Sequence, residues 1–184
     1  MIDFKAGDIY ALKGRGPFAW LQQRLFIPHT DRFHFGFIAT RTRDGDYETR
    51  ESISKGVALG RLYQYYRGQD VEIYRVADSH FAGRLAVEAI SKIGRSRYDY
   101  ALIVRLLLNV VKLLVTGKFP PWCAAQLDYV ADRRFVCTEA VEFGCRYEGH
   151  PLVPKGVAPL PSEFKRAELD GGIRLIYKGV LTDD

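Results

Sequence analysis

Across residues 33–40 apolar and polar positions alternate, so that Phe33, Phe35 and Phe37 fall on one face of an extended segment and His34, Gly36 and Ile38 on the other. Similar strand-like runs predict strands over 9–12, 47–52, 71–76 and 173–178. Gly14, Gly16 and Pro17 stop the first of these, and Arg43-Asp44-Gly45-Asp46 reads as a hairpin turn that returns the chain into 47–52. Helical spacing takes over at 81–93, where Phe81, Leu85, Ala89, Ile90 and Ile93 form a stripe, Asp78 or Ser79 offers an N-cap and Gly94 a stop. A more apolar helix is predicted from Tyr98-Asp99-Tyr100 through Val115, with shorter helical pieces over 18–27, 62–66 and 122–130. A further helix starts at Cys137, with Ala140, Val141, Gly144 and Cys145 on its packing side and its first turn expected to face a cleft.

The chain has 184 residues, 47% of them hydrophobic, which suits one domain over 1–184 with a single core. A net charge of +5 and a pI near 9.1 favour contact with anionic surfaces, but the basic residues are scattered. Arg41, Arg43 and Arg50 lack interleaved stacking aromatics, so a solvated face is expected there and no specific nucleic-acid binding. Cys123, Cys137 and Cys145 are odd in number and have no paired spacing, which points away from a disulfide framework or a zinc knuckle; no metal or cofactor is expected. The start of the chain shows no basic segment followed by an apolar run, so a cytoplasmic location is the expectation. The uncharged run 106–111 is far shorter than the ~20 apolar residues needed to cross a bilayer, so the helix around it is expected to be buried or to lie at an interface.

Chemistry concentrates at Phe135-Val136-Cys137-Thr138-Glu139, where a short apolar segment runs into a helix. Unpaired N–H groups and the positive end of the dipole favour a thiolate there, and Arg133 and Arg134 lie just upstream. A buried structural thiol is the competing reading for any single cysteine. A nucleophile needs a base, and His34 sits on the strand face opposite the aromatics, next to Gly36, which leaves room beside the imidazole. His29, His80 and His150 fall in loops or at a cap, where a solvated ring is usual. The hairpin brings Glu51 near His34 on the same sheet, with Glu48 and Asp46 as competitors because the register is open.

Taken in order, Gly7-Asp8-Ile9, His34-Phe35-Gly36-Phe37-Ile38, Glu51-Ser52 before Gly56-Val57, Tyr98-Asp99, Val136-Cys137-Thr138-Glu139-Ala140-Val141 and Leu152-Val153-Pro154 resemble the circularly permuted NlpC-type papain-like cysteine hydrolases, with the YaeF/YiiX-like branch the nearest fit. The resemblance implies an α+β, permuted papain-like fold: a small antiparallel sheet flanked by helices. It implies Cys137 as nucleophile, His34 as base and then acid, Glu51 as third member, and Tyr98 as a site-lining residue or second oxyanion donor. The substrate class it implies is a peptide, an amide or an acyl lipid, attacked through an acyl-enzyme. The related lecithin:retinol acyltransferase group adds acyl transfer as an alternative, with peripheral membrane contact through the 100–115 helix; a non-catalytic binding module of the same fold is the third reading.

Overall fold

The period-two pattern of 33–40 becomes the central strand of a six-stranded antiparallel sheet in the computed structural model of the chain. Residues 3–14, 30–53, 55–94, 96–99, 104, 108, 115–116 and 134–182 are described, 98 and 134 by their backbone alone. The elements in chain order are β1 (Ile9–Lys13), β2 (Arg32–Arg41), β3 (Tyr47–Ile53), β4 (Gly56–Arg61), α1 (Leu62–Tyr66), β5 (Asp70–Val76), α2 (Gly83–Lys92), β6 (Arg97–Tyr98), β7 (Arg134–Phe135), α3 (Cys137–Tyr147), α4 (Pro161–Leu169) and β8 (Ile173–Val180). The sheet runs β4-β3-β2-β1-β5-β8, every pairing in it antiparallel, and β6 pairs parallel with β7 in a separate ribbon. Helices and an antiparallel sheet make this an α+β fold.

Alternation sorts the side chains of the sheet into two cores. Ile9, Ala11, Phe35, Phe37, Tyr74 and Val76 face the helices and pack with Ala86 and Ile90 of α2, Ala140, Val141 and Cys145 of α3, and Phe164 and Ala167 of α4. Tyr10, Leu12, Ile38, Val71 and Ile73 face the other way, onto Phe4, Tyr47, Leu62 and Leu181. Gly144 is what lets α3 settle against β2: a Cβ there would stand 2.7 Å from the Phe37 ring.

Several expectations change. Residues 56–61 form strand β4, where a Gly-containing run gave little strand signal, and α4 begins with Pro161 at its first turn after a Pro-rich stretch. Helix α2 is capped at Ala82 with no side-chain cap, not at Asp78 or Ser79, and Leu85 is exposed while Gly83, Ala86 and Val87 are buried. The rest of the predicted stripe packs inward, Ala89 and Ile90 buried and Phe81 and Ile93 against the same core; Gly83 joins that side because it lies against the Ala6–Gly7 backbone, where a Cβ would meet Ala6 O at 2.0 Å. Tyr98 does not open a helix but ends β6, its backbone registered opposite Phe135. The helices expected over 18–27 and 122–130, Cys123, His29 and Arg133 lie outside the described residues, as does most of 100–115, of which 104, 108 and 115 are helical. Among the described residues no helix is long and apolar enough to cross a membrane.

Candidate active site

Three elements meet where β2 begins. At Leu12/Lys13 the β1–β2 register slips by one, leaving Phe33 as an extra residue of β2 just before His34. Such a bulge turns neighbouring side chains out of strict alternation. The freed Phe33 carbonyl accepts the Cys137 thiol, with Sγ 3.5 Å from the oxygen. Helix α3 is tied to the same edge by its entry: Ser52 Oγ on β3 donates to the Phe135 carbonyl at 2.7 Å, and Glu139 Oε2 turns back to accept the Val136 N–H at 2.8 Å. That contact satisfies a backbone donor at the helix start, and the position of Cys137 leaves its own N–H without an intrahelical acceptor. The first turn does not open onto a cleft as expected. Cys137 is 7% exposed and Thr138 and Glu139 are buried, because the capped turn is pulled down onto β2 and β3.

His34 and Glu51 meet on the sheet face away from the main helical layer. Glu51 pairs with Gly36 across the β2–β3 ladder and reaches diagonally to His34, whose Nε2 forms a short hydrogen bond with Oε2. The Cys137 side chain lies close enough to the same imidazole to act on its ionisation. Burial alone would make the ring harder to protonate. The interaction with Cys137, the hydrogen bond with Glu51 and the charges of both outweigh it and raise His34 to about 10.

Glu51 is 3% exposed and is not left to His34 alone. Tyr10 Oη donates to Oε2 at 2.8 Å and Tyr66 Oη at 2.5 Å, while Thr49 Oγ1 stands 3.4 Å from Oε1. Burial pushes this carboxyl up, but His34, Tyr66 and Tyr10 together bring it below its usual range. Both phenols are shifted upward, by burial first and then by the Glu51 charge, so they remain donors. The space beside Gly36 belongs to Tyr10, not to the approach to the imidazole: a Cβ at Gly36 would lie 2.5 Å from Tyr10 Oη. Gly60 on β4 does the same for Glu51, where a Cβ would stand 2.2 Å from Oε1. Tyr10, Tyr66 and Gly60 escaped the sequence reading. Only Gly60 carried a signal, as a glycine in a run now seen to be a strand.

The competitors are elsewhere. His80 is exposed and its backbone N–H caps onto Asp78; His150 Nδ1 lies 3.3 Å from Asp78 Oδ2 and its ring packs edge-on to Phe81. Glu48 pairs with Arg50, and Asp46 accepts from the N–H groups of Tyr63 and Gln64 and from Arg61, which fixes the start of α1. Cys145 is fully buried, and burial followed by the nearby Glu142 charge pushes its thiol well up. Tyr98 is brought beside Phe135, two residues before Cys137, by backbone pairing; its side chain and that of Arg134 lie outside the described residues. Among the described residues no group of three or more His, Cys, Asp or Glu side chains is placed to hold a metal ion. No protein-family model matches the chain, and no curated protein matches it.

Proposed function

We propose that the chain is a cysteine hydrolase with a permuted papain-like arrangement, cleaving an amide or peptide bond through an acyl-enzyme on Cys137. The observation that carries this reading is the line of contacts from the thiol at the start of α3 to the His34 ring and on from Nε2 to the buried Glu51 Oε2. With Nε2 facing the carboxylate, Nδ1 is the nitrogen left to exchange a proton with sulfur. His34 takes the thiol proton, Sγ bonds to the substrate carbonyl carbon, and the carbonyl electrons move onto oxygen. The oxyanion is met by the Cys137 N–H. Collapse breaks the C–N bond while the imidazolium gives its proton to the leaving amine. Water, deprotonated by His34, then attacks the thioester, the C–S bond breaks, and the acid product leaves a thiol behind.

Acyl-directed thiol probes are expected to label one peptide, that containing Cys137, in the intact protein. Cys137→Ala should abolish labelling and turnover while leaving the unfolding transition cooperative; labelling that survives the substitution would overturn the reading. One observation favours lipid-directed acyl transfer as a second reading. Val104, Leu108 and Val115 are each helical and exposed. Sedimentation with anionic phospholipid vesicles tests it, and a protein that stays in the supernatant argues for the first reading.

A further inference from the structure

We propose that Tyr66 is a positioning residue of this site: from α1 it fixes Glu51 Oε2 on Nε2 of His34, so that the ring proton is kept on Nε2 and Nδ1 is turned to the sulfur. The inference rests on the reading of Cys137 and His34 as nucleophile and base. The Tyr66 hydroxyl lies 2.5 Å from Glu51 Oε2 and 3.3 Å from His34 Nε2, within reach of both members of the pair. It has one proton, which goes to the carboxylate, so its oxygen turns a lone pair toward Nε2. The Nε2–H is therefore met by two acceptors, Oε2 and Tyr66 Oη.

The carboxylate is held unevenly. Oε2 accepts from Tyr10, Tyr66 and His34, whereas Oε1 has Thr49 at 3.4 Å and lies against the Gly60 backbone. A carboxylate with three donors on one oxygen is a weak base and leaves the proton on the ring. Among the described residues the groups facing Glu51 are Tyr10 from β1, His34 from β2, Thr49 on its own strand and Tyr66 from α1; Cys137 of α3 faces it from behind the ring, and β4 offers backbone only. Tyr66 is itself held from afar. Asp46, in the β2–β3 turn, accepts the Tyr63 and Gln64 N–H groups at 2.8 and 3.1 Å, which anchors the short helix whose last residue is Tyr66.

Tyr66→Phe keeps the ring and removes the hydroxyl. A tyrosine that only packs costs the same stability at every pH. A tyrosine that holds a carboxylate in its charged form stabilises above the ordinary carboxyl range and stops doing so once Glu51 is protonated. In urea unfolding, Tyr66→Phe should lower the folding constant about tenfold at pH 6 and only about twofold at pH 3. Tyr10→Phe, which removes the other phenol bond to Oε2, should show the same closing gap, and a gap that stays constant in the variants that fold overturns the proposal. Alkylation of Cys137 by iodoacetamide separates this from the functional reading. Rapid wild-type alkylation at pH 6 supports the nucleophile, and its loss would end that reading even if the gap closes as expected. With the nucleophile intact, Tyr66→Phe should slow alkylation about tenfold at pH 7; an unchanged rate leaves Tyr66 without a positioning role.

Discussion

Two buried glutamates sit in the same sheet, three strands apart, and each accepts a hydrogen bond from a tyrosine. Glu51 on β3 takes Tyr66 at 2.5 Å; Glu72 on β5 takes Tyr74 at 2.5 Å. Their other partners differ. Glu72 lies 3.1 Å from Arg32 Nη2 and 2.8 Å from Lys178 Nζ, so one carboxylate joins β2, β5 and β8. Burial opposes its ionisation, but Lys178, Tyr74 and Arg32 hold it at about 2. Both cations keep their charge throughout the range in which proteins work, and Glu72 has nothing to exchange a proton with. Glu51 faces an imidazole instead, a ring whose two nitrogens can both take and give a proton. The same acid and phenol thus make a fixed strut in one place and, on the proposed reading, half of an acid–base couple in the other, and the difference is the cation opposite.

The strongest way to sharpen that contrast is to remove each partner in turn. His34→Ala should slow alkylation of Cys137 by about 10²- to 10⁴-fold, the usual worth of a positioned base. Glu72→Gln should leave that rate within about twofold yet cost about 2 kcal/mol of stability in urea unfolding, because Arg32 and Lys178 lose its charge while Arg32 keeps Asp31 and Asp70. If the two variants affect alkylation alike, the contrast fails.

pH separates the pair next. His34 is raised to about 10, so its contribution is complete below the ordinary imidazole value near 6.5 and is lost as pH rises through about 10. Glu51 and Glu72 are both lowered, so theirs are present above the ordinary carboxyl range and lost on acidification. Stability should therefore decline between about pH 6.5 and 10 in the wild type and in Glu72→Gln, and that alkaline decline should be absent in His34→Ala. The smallest effect belongs to the second phenol. Tyr74→Phe should cost about 1 kcal/mol and leave the alkylation rate unchanged.

The sequence carried the parts of this site that depend on local pattern. Alternation over 33–40 set His34 apart from Phe35 and Phe37, and the turn at 43–46 returned the chain so that Glu51 could be weighed as its partner. The start of α3 at Cys137 was legible as an apolar run giving way to helical spacing. The supporting groups were not. Nothing in the local pattern sets Tyr10 and Tyr66 apart, because their role depends on register and on contacts across 41 and 15 residues of chain. Gly36 was visible as a missing side chain, but only the fold shows that Tyr10 fills the gap. β4 and the exposure of Leu85 on α2 were missed for a related reason: each segment turns on a glycine, Gly60 making room for the Glu51 and Thr49 side chains and Gly83 for the Ala6–Gly7 backbone, and hydrophobic periodicity is blind to that.

The order of the pieces along the chain has a consequence for biosynthesis. Tyr10, Glu51 and Tyr66, with His34 itself, leave the ribosome before Cys137 is added. Translation runs N-terminus first, so the hairpin and its tyrosines can be in place while the sulfur is still unmade. On the reading of Cys137 as nucleophile, the thiol then meets its base only when α3 docks onto β2.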